Sequence, residues 1–308
     1  MATKLWLGNV AGHEGEAGWG PNYSPTGLPT DADDLYYRES SQDVDDELGA
    51  LVGVQLRSVH IEQSFAGLIG TLAAYLELAA GEVHIGRHDG PGSPSGSPRI
   101  KLDLVSGSGG GFASGSFGSA PRIFVYNTAG NPQETNLPPV RLLTDDPDAE
   151  LHVRRGRVGV AVEPGEASIL GHLFESWESG RTGDAEVIIG EGVTGLAEVV
   201  KDGGVLVLRC AATLVRNRAG TLTVQGAGAI PNLYADGGQV YPESSGLLTN
   251  LHLRGADVDM TRSTVVRAVT NLRIDPTDPG SIAYDPAVVA VANIILAGPT
   301  RLAFQEAG

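Results

Sequence analysis

The sequence predicts an all-β fold of the β-solenoid kind: a parallel β-helix-like body of short, Gly-punctuated coils, with an irregular N-terminal arm and a C-terminal cap. Three observations predict it. The chain holds 43 Gly and 18 Pro but 2 Met, a balance that suits short strands and tight turns over long helices. Many short runs alternate apolar and polar residues, the period of a half-buried strand. In the second half, glycines return every 17–18 residues, at Gly203, Gly220, Gly237 and Gly255.

Residues 1–47 read as an acidic, aromatic-containing arm. Trp6, Trp19, Tyr23, Tyr36 and Tyr37 are placed to dock such an arm onto a larger body. The body, 48–284, contains the runs Val52–Ile61, Leu72–Ile85, Ile100–Val105, Ile123–Tyr126, Leu151–Val162, Val187–Ile189, Val205–Arg209, Thr221–Val224, Leu247–Leu253 and Val265–Ile274. Gly- and Ser-rich insertions fall at 88–120, a composition of loops. Residues 285–308 form a cap or interface segment. Asp285-Pro286 resembles a helix start and Gly298-Pro299 a stop. Between them Ala287–Ala297 is either a short buried helix or a last strand, and needs cover in either case.

A unit of 17–18 residues cannot bury its apolar face alone, whereas stacked coils can. Glycine at each corner supplies a positive φ that a Cβ penalises. On this reading Val205, Val207, Leu222, Val224 and Val240 face inward as a ladder. A β-sandwich with Gly-rich hairpins is the rival, and Pro231 and Pro242 interrupt the repeat.

The net charge is −16, which disfavours nucleic acid and anionic lipid as partners. Ten acids and two bases lie in residues 1–50, and that stretch reads as a solvated acidic face. Eighteen of the 21 basic residues are Arg, the residue suited to pairing with carboxylates at interfaces. Cys210 is alone, so no intramolecular disulfide is expected, and its apolar neighbours make it a small core residue. Lys4 is followed by only Leu5-Trp6-Leu7 before Gly8, so no secretory leader is expected. No apolar run reaches the length of about 20 residues that a membrane span needs.

Motifs for chemistry are sparse, and no enzyme, cofactor or metal is expected. Gly190-Glu-Gly-Val-Thr-Gly195 has the spelling of a dinucleotide turn. Too little chain follows for a helix, and the next strand ends in Arg209-Cys210 where an acid is needed; two corners are the simpler reading. No Gly-x-Ser-x-Gly occurs. His84 and His88 bracket a strand end. Asp31, Asp33 and Asp34 offer oxygen ligands without a complete calcium loop. Asp257/Asp259, Asp145/Asp146/Asp148 and Glu175/Glu178 around Trp177 are the carboxylate groups with which a glycoside-cleaving site could be built. Turn and surface roles are the alternative for each.

The opening Leu5-Trp6-Leu7-Gly8, Trp19 and Tyr23-Ser-Pro-Thr-Gly-Leu-Pro-Thr-Asp-Ala-Asp-Asp-Leu35 resembles the leader of β-helical repeat proteins, among them auxiliary virion proteins of tailed bacteriophages. The resemblance covers about 35 residues. It implies a non-enzymatic virion component of the decoration or cement type, acting as an oligomer, a trimer by analogy, on the major capsid protein or another virion protein. A tailspike or fibre that binds or cleaves host polysaccharide is the alternative. The interface candidates are Trp6, Trp19, Tyr23, Asp43, Asp45, Asp46, Phe112 and Phe117.

Overall fold

A computed structural model describes residues 2–11, 14, 16–17, 20–45, 51, 53–87, 99–105, 120–128, 134, 136–175 and 185–296. Among these the chain is all-β: strands and one 3-10 turn at Gly20–Asn22, with no α-helix. Two long parallel ladders organise the strands. The first runs through Thr3–Trp6, Asp34–Tyr37, Gln55–Glu62, Arg122–Val125, Ser168–Glu175, Glu198–Lys201, Leu214–Asn217, Ile230–Ala235, Leu248–Leu253, Arg267–Ile274 and Val289–Leu296. The second runs through Ile100–Leu104, Gly156–Val160, Ala185–Ile189, Val205–Leu208, Thr221–Val224, Gln239–Pro242, Asp257–Asp259 and Ser281–Ala283. Leu76–Arg87 and Val140–Val153 are long enough to contribute to both. From Glu198 onward the chain alternates between ladders, so each strand pairs with the strand two further along.

The alternation read from sequence produces the core. In the second ladder Ile100, Val140, Val158, Val187, Leu206, Leu222, Val240 and Val258 follow one another in register, and each is buried. In the first, Leu35, Val59, Val83, Ile123, Leu151, Leu173, Val199, Val215, Leu233, Leu251 and Leu272 form the matching row, also buried. Each such side chain contributes about 1.5–3 kcal/mol by leaving water.

Two expectations change, and one open alternative is decided. The inward register at Gly203 is displaced by one residue. The positive-φ corner glycine is Gly204, matched by Gly220, Gly238 and Gly255. Leu206 and Leu208 therefore point inward, while Val205 is 39% exposed. Leu222, Val224 and Val240 face inward as expected. Alternation has a period of two, so a one-residue slip at the corner exchanges the faces.

The Ala287–Ala297 segment is no helix where it is described. Asp285 Oδ1 accepts from the Ala287 amide at 2.8 Å, a single capped turn, and Val289–Leu296 then pairs in parallel on Arg267–Ile274. The open backbone groups of the preceding strand and the β-branched residues of this one favour the ladder.

The arm at 1–47 is not separate from the body. Thr3–Trp6 pairs with Asp34–Tyr37, which pairs in parallel with Gln55–Glu62. Trp6, Tyr23 and Tyr37 are buried against one another, with Trp6 and Tyr23 ring centroids 5.2 Å apart. Tyr23–Ser24 returns antiparallel on Thr3–Trp6 and closes that end. Of the acidic stretch, Asp33 accepts from the Ala2 amide at 2.6 Å and Asp34 binds Arg57 and Ser58. Both are buried, so this part is structural and not a solvated face.

Candidate functional site: ring column, buried charge and inner polar row

The outward face of the first ladder carries two columns. One is Tyr36, His60, His84, Phe124, His152 and Phe174 on consecutive rungs. Neighbouring rings stack with centroids 4.4, 4.7, 5.1, 4.9 and 4.8 Å apart. Tyr234 and His252 repeat the contact further along, at 4.3 Å. The second column is Asp34, Ser58, Glu82, Arg122, Glu150, His172 and Glu198, with Arg122 paired to Glu82 and His152 Nε2 3.0 Å from Glu150. After Leu214 interrupts it, the column continues as Asn232, Asn250, Asn271 and Asn293. Each later Asn donates its Nδ2 to the Oδ1 of the rung before, at 2.9–3.1 Å.

These columns were not singled out from sequence, although a signal exists. Each ring sits between two inward residues, as in Val59-His60-Ile61, Val83-His84-Ile85, Ile123-Phe124-Val125 and Leu151-His152-Val153. The repeat spacing is irregular in this half, which hides it.

All three lysines are buried, and each closes a turn by donating to backbone carbonyls. Lys4 Nζ donates to Pro25 and Gly27, and Lys101 Nζ to Leu72. Lys201 Nζ donates to Gly203, to Gly204 at 2.9 Å and to Ala219 at 2.7 Å. Lys101 pairs in register with Arg141. Arg141 is fully buried and bonded to Glu134 and Glu163. Lys101 lies 3.5 Å from Glu163 and over the Tyr75 ring, and Tyr75 donates to Glu166 at 2.6 Å. Burial, then the neighbouring Arg141 charge, holds the Lys101 ammonium below its usual range. On the same strand, burial and then Glu77, Asp145 and Glu166 push the Asp103 carboxyl up to about 6.

One inner row of the first ladder starts at Tyr37 and runs through Ile61, Ile85, Val125 and Val153 to Glu175, Lys201 and Asn217 on three consecutive rungs, with Ala235, Leu253 and Ile274 beyond. All three are buried, at 1%, 0% and 0% exposure. Burial drives the Glu175 carboxyl upward and the Lys201 ammonium downward, and their mutual attraction opposes both shifts.

The residues predicted from sequence disperse. Trp6 and Tyr23 face the chain's own core, Asp43 is exposed and accepts from the Leu68 amide at 2.9 Å, and Asp45 bridges Glu16. Trp19, Asp46, Phe112 and Phe117 lie outside the described residues, as do His88, Trp177, Glu178 and most of 88–120. Glu175 is buried in the core. Asp257 accepts from Ser281 at 2.6 Å, Asp259 binds Thr261 and Arg262, and Asp146 closes a turn to Asp148. Gly190 and Gly192 pack against the carbonyls of Ala161 and Glu166, the tight corners expected of them. Cys210 is buried, and burial pushes its thiol up to about 12. No helix among the described residues is long and apolar enough to cross a membrane, and no metal-holding cluster occurs among them.

The chain matches no protein-family model, no curated protein and no solved structure.

Proposed function

We propose that the two ladders are walls of one β-solenoid, and that the protein is a structural virion component which decorates a bacteriophage capsid and stabilises it by binding the assembled shell. Parallel pairing of each strand with the one two along, and glycine corners at Gly204, Gly220, Gly238 and Gly255, support the winding. The functional reading rests on one observation, the ring and charge columns on the outward face of the first ladder. Each inner ring of the column is held by the rings above and below, which supports a face that is stiff before any partner arrives. A preorganised face loses little entropy on binding. Its repeated chemistry suits a partner that is itself periodic. A protein that binds only the assembled state stabilises that state by mass action.

The charge of −16 favours basic patches on the shell over nucleic acid or anionic membrane. The role is passive, with no reaction, cofactor or metal, and an oligomer, a trimer by the resemblance, presents several copies of the face together. Assembly in a host cytoplasm and residence on the capsid surface follow from this reading.

Co-sedimentation with expanded phage heads, against unassembled capsid subunits, tests it. Binding to shells alone supports the reading, and reversal of the ring-face charges at Glu82 and Glu150 then weakens it. Binding to neither, with release of reducing sugar from host polysaccharide, replaces it by the tailspike reading.

A further inference from the structure

The inner row poses a problem that packing does not answer. An acid, an amine and an amide sit on consecutive rungs, with aliphatic side chains on the rungs to either side. Burying charge without full pairing is costly. Yet neither carboxylate oxygen of Glu175 has a hydrogen-bond partner, and Asn217 Oδ1 has none. No hydrophobic surface is gained by placing these residues there.

The three side chains are neighbours along one buried row, with the Lys201 amine turned to the Gly203, Gly204 and Ala219 carbonyls. Lys201 and Asn217 face each other in register across adjacent strands, and Glu175 faces Lys201 from the other side. The Lys201 amine reaches toward the Asn217 rung, where it donates to the Ala219 carbonyl at 2.7 Å. Asn217 Nδ2 is held by the Gly237 carbonyl at 2.5 Å, which fixes the amide plane. Positive-φ glycines at 204 and 220 leave the space, since a Cβ at Gly204 would overlap Glu175 and one at Gly220 would overlap the Lys201 amine.

We propose that Lys201 and Asn217 form an intramolecular isopeptide bond, with Glu175 moving the protons. The site does not depend on the decoration reading. In the proposed reaction the Lys201 ammonium leaves its backbone carbonyls, turns to Glu175 and passes a proton to that carboxylate, leaving a neutral amine and a neutral acid. Desolvation favours that exchange, because it removes two charges from the core. The amine nitrogen then attacks Asn217 Cγ and the new N–C bond forms. Glu175 gives its proton to the developing oxyanion and takes one from the attacking nitrogen. Glu175 then gives that proton to the leaving nitrogen, the Cγ–Nδ2 bond breaks and ammonia departs, and the collapsing hydroxyl returns its proton to Glu175, which ends as the neutral acid. No oxidant, metal or cofactor enters the balance. Fixed positions on paired strands supply the orientation that makes an amine attack an amide.

Intact-mass measurement of the folded, full-length chain, followed by peptide mapping, tests the proposal. The expected mass is below the sequence mass by one ammonia. The expected map contains one branched peptide joining the segments around Lys201 and Asn217, and a lysine-directed protease fails to cut at Lys201 after denaturation. Glu175→Gln, checked by circular dichroism for a retained β signal, restores the full mass and two linear peptides. Glu175→Asp recovers part of the cross-link, an outcome that a packing role does not produce. Wild-type protein of full mass that is cleaved at Lys201 overturns the proposal. So does an ammonia loss that maps to another asparagine. A cross-link that persists in Glu175→Gln overturns the role given to Glu175.

Discussion

His60 and His84 lie ring on ring across adjacent strands, centroids 4.7 Å apart and planes within 4° of parallel. Tyr36 stacks on the far side of His60 and Phe124 on the far side of His84, so each imidazole is enclosed by rings from two neighbouring rungs. The stack ties four strands together through side chains on the outward face, independently of the core.

His60→Ala and His84→Ala, with the double variant, measure that contact by a thermodynamic cycle in denaturant. The expected coupling is about 0.5–1.5 kcal/mol, the range for stacked ring pairs. A coupling near zero would show that the rings merely lie alongside one another.

The register at the Gly204 corner separates two neighbouring residues. Leu206→Ala is expected to cost about 2–5 kcal/mol, as for a buried leucine. Val205→Thr, on the exposed face, is expected to stay within about 0.5 kcal/mol. Equilibrium unfolding decides, and the opposite order would restore the inward reading of Val205.

Asp103 gives the stability a pH dependence. Its carboxyl binds a proton more tightly folded than unfolded, so its contribution is full below the unfolded value of about 3.9. The contribution fades as pH rises and is gone above about 6. Asp103→Asn is therefore expected to exceed wild type by about 1–2 kcal/mol at pH 7–8, after allowance for partial exposure. The advantage closes toward pH 4. Urea unfolding at the two pH values checks the sign, and a variant less stable than wild type at pH 8 would refute it.

Gly190 and Gly165 differ in what surrounds them. A Cβ at Gly190 would run into the Ala161 carbonyl, whereas one at Gly165, φ +85°, meets nothing within 4 Å. Gly190→Ala is expected to cost about 2–4 kcal/mol through forced backbone movement. Gly165→Ala is expected to cost about 1 kcal/mol, from the positive φ alone. Thermal melting of both variants gives the comparison.

The columns explain why sequence reading reached the core and not the face. Val158, Leu222 and Val240 declare themselves as inward by alternation alone, because burial is decided residue by residue. The ring column is a relation between rungs separated by 24 to 40 residues at the start of the chain, as at Tyr36, His60, His84 and Phe124. Those intervals are set by insertions of unequal length, so no fixed period marks them. Lysine at 101 and 201 reads as exposed on average chemistry; only the carbonyls gathered around each amine make burial tolerable.

By itself, the sequence determined an all-β chain, part of its strand runs, the corner glycines at 220 and 255 and much of the aliphatic inner rows, since these follow from local period and backbone freedom. The tertiary structure alone decided that the N-terminal residues form the first rungs, that Val289–Leu296 is a strand, and that Glu175, Lys201 and Asn217 meet inside the core. The physical reason is that parallel pairing joins residues by rung and not by distance along the chain, and the rung on which a residue falls depends on every corner that precedes it.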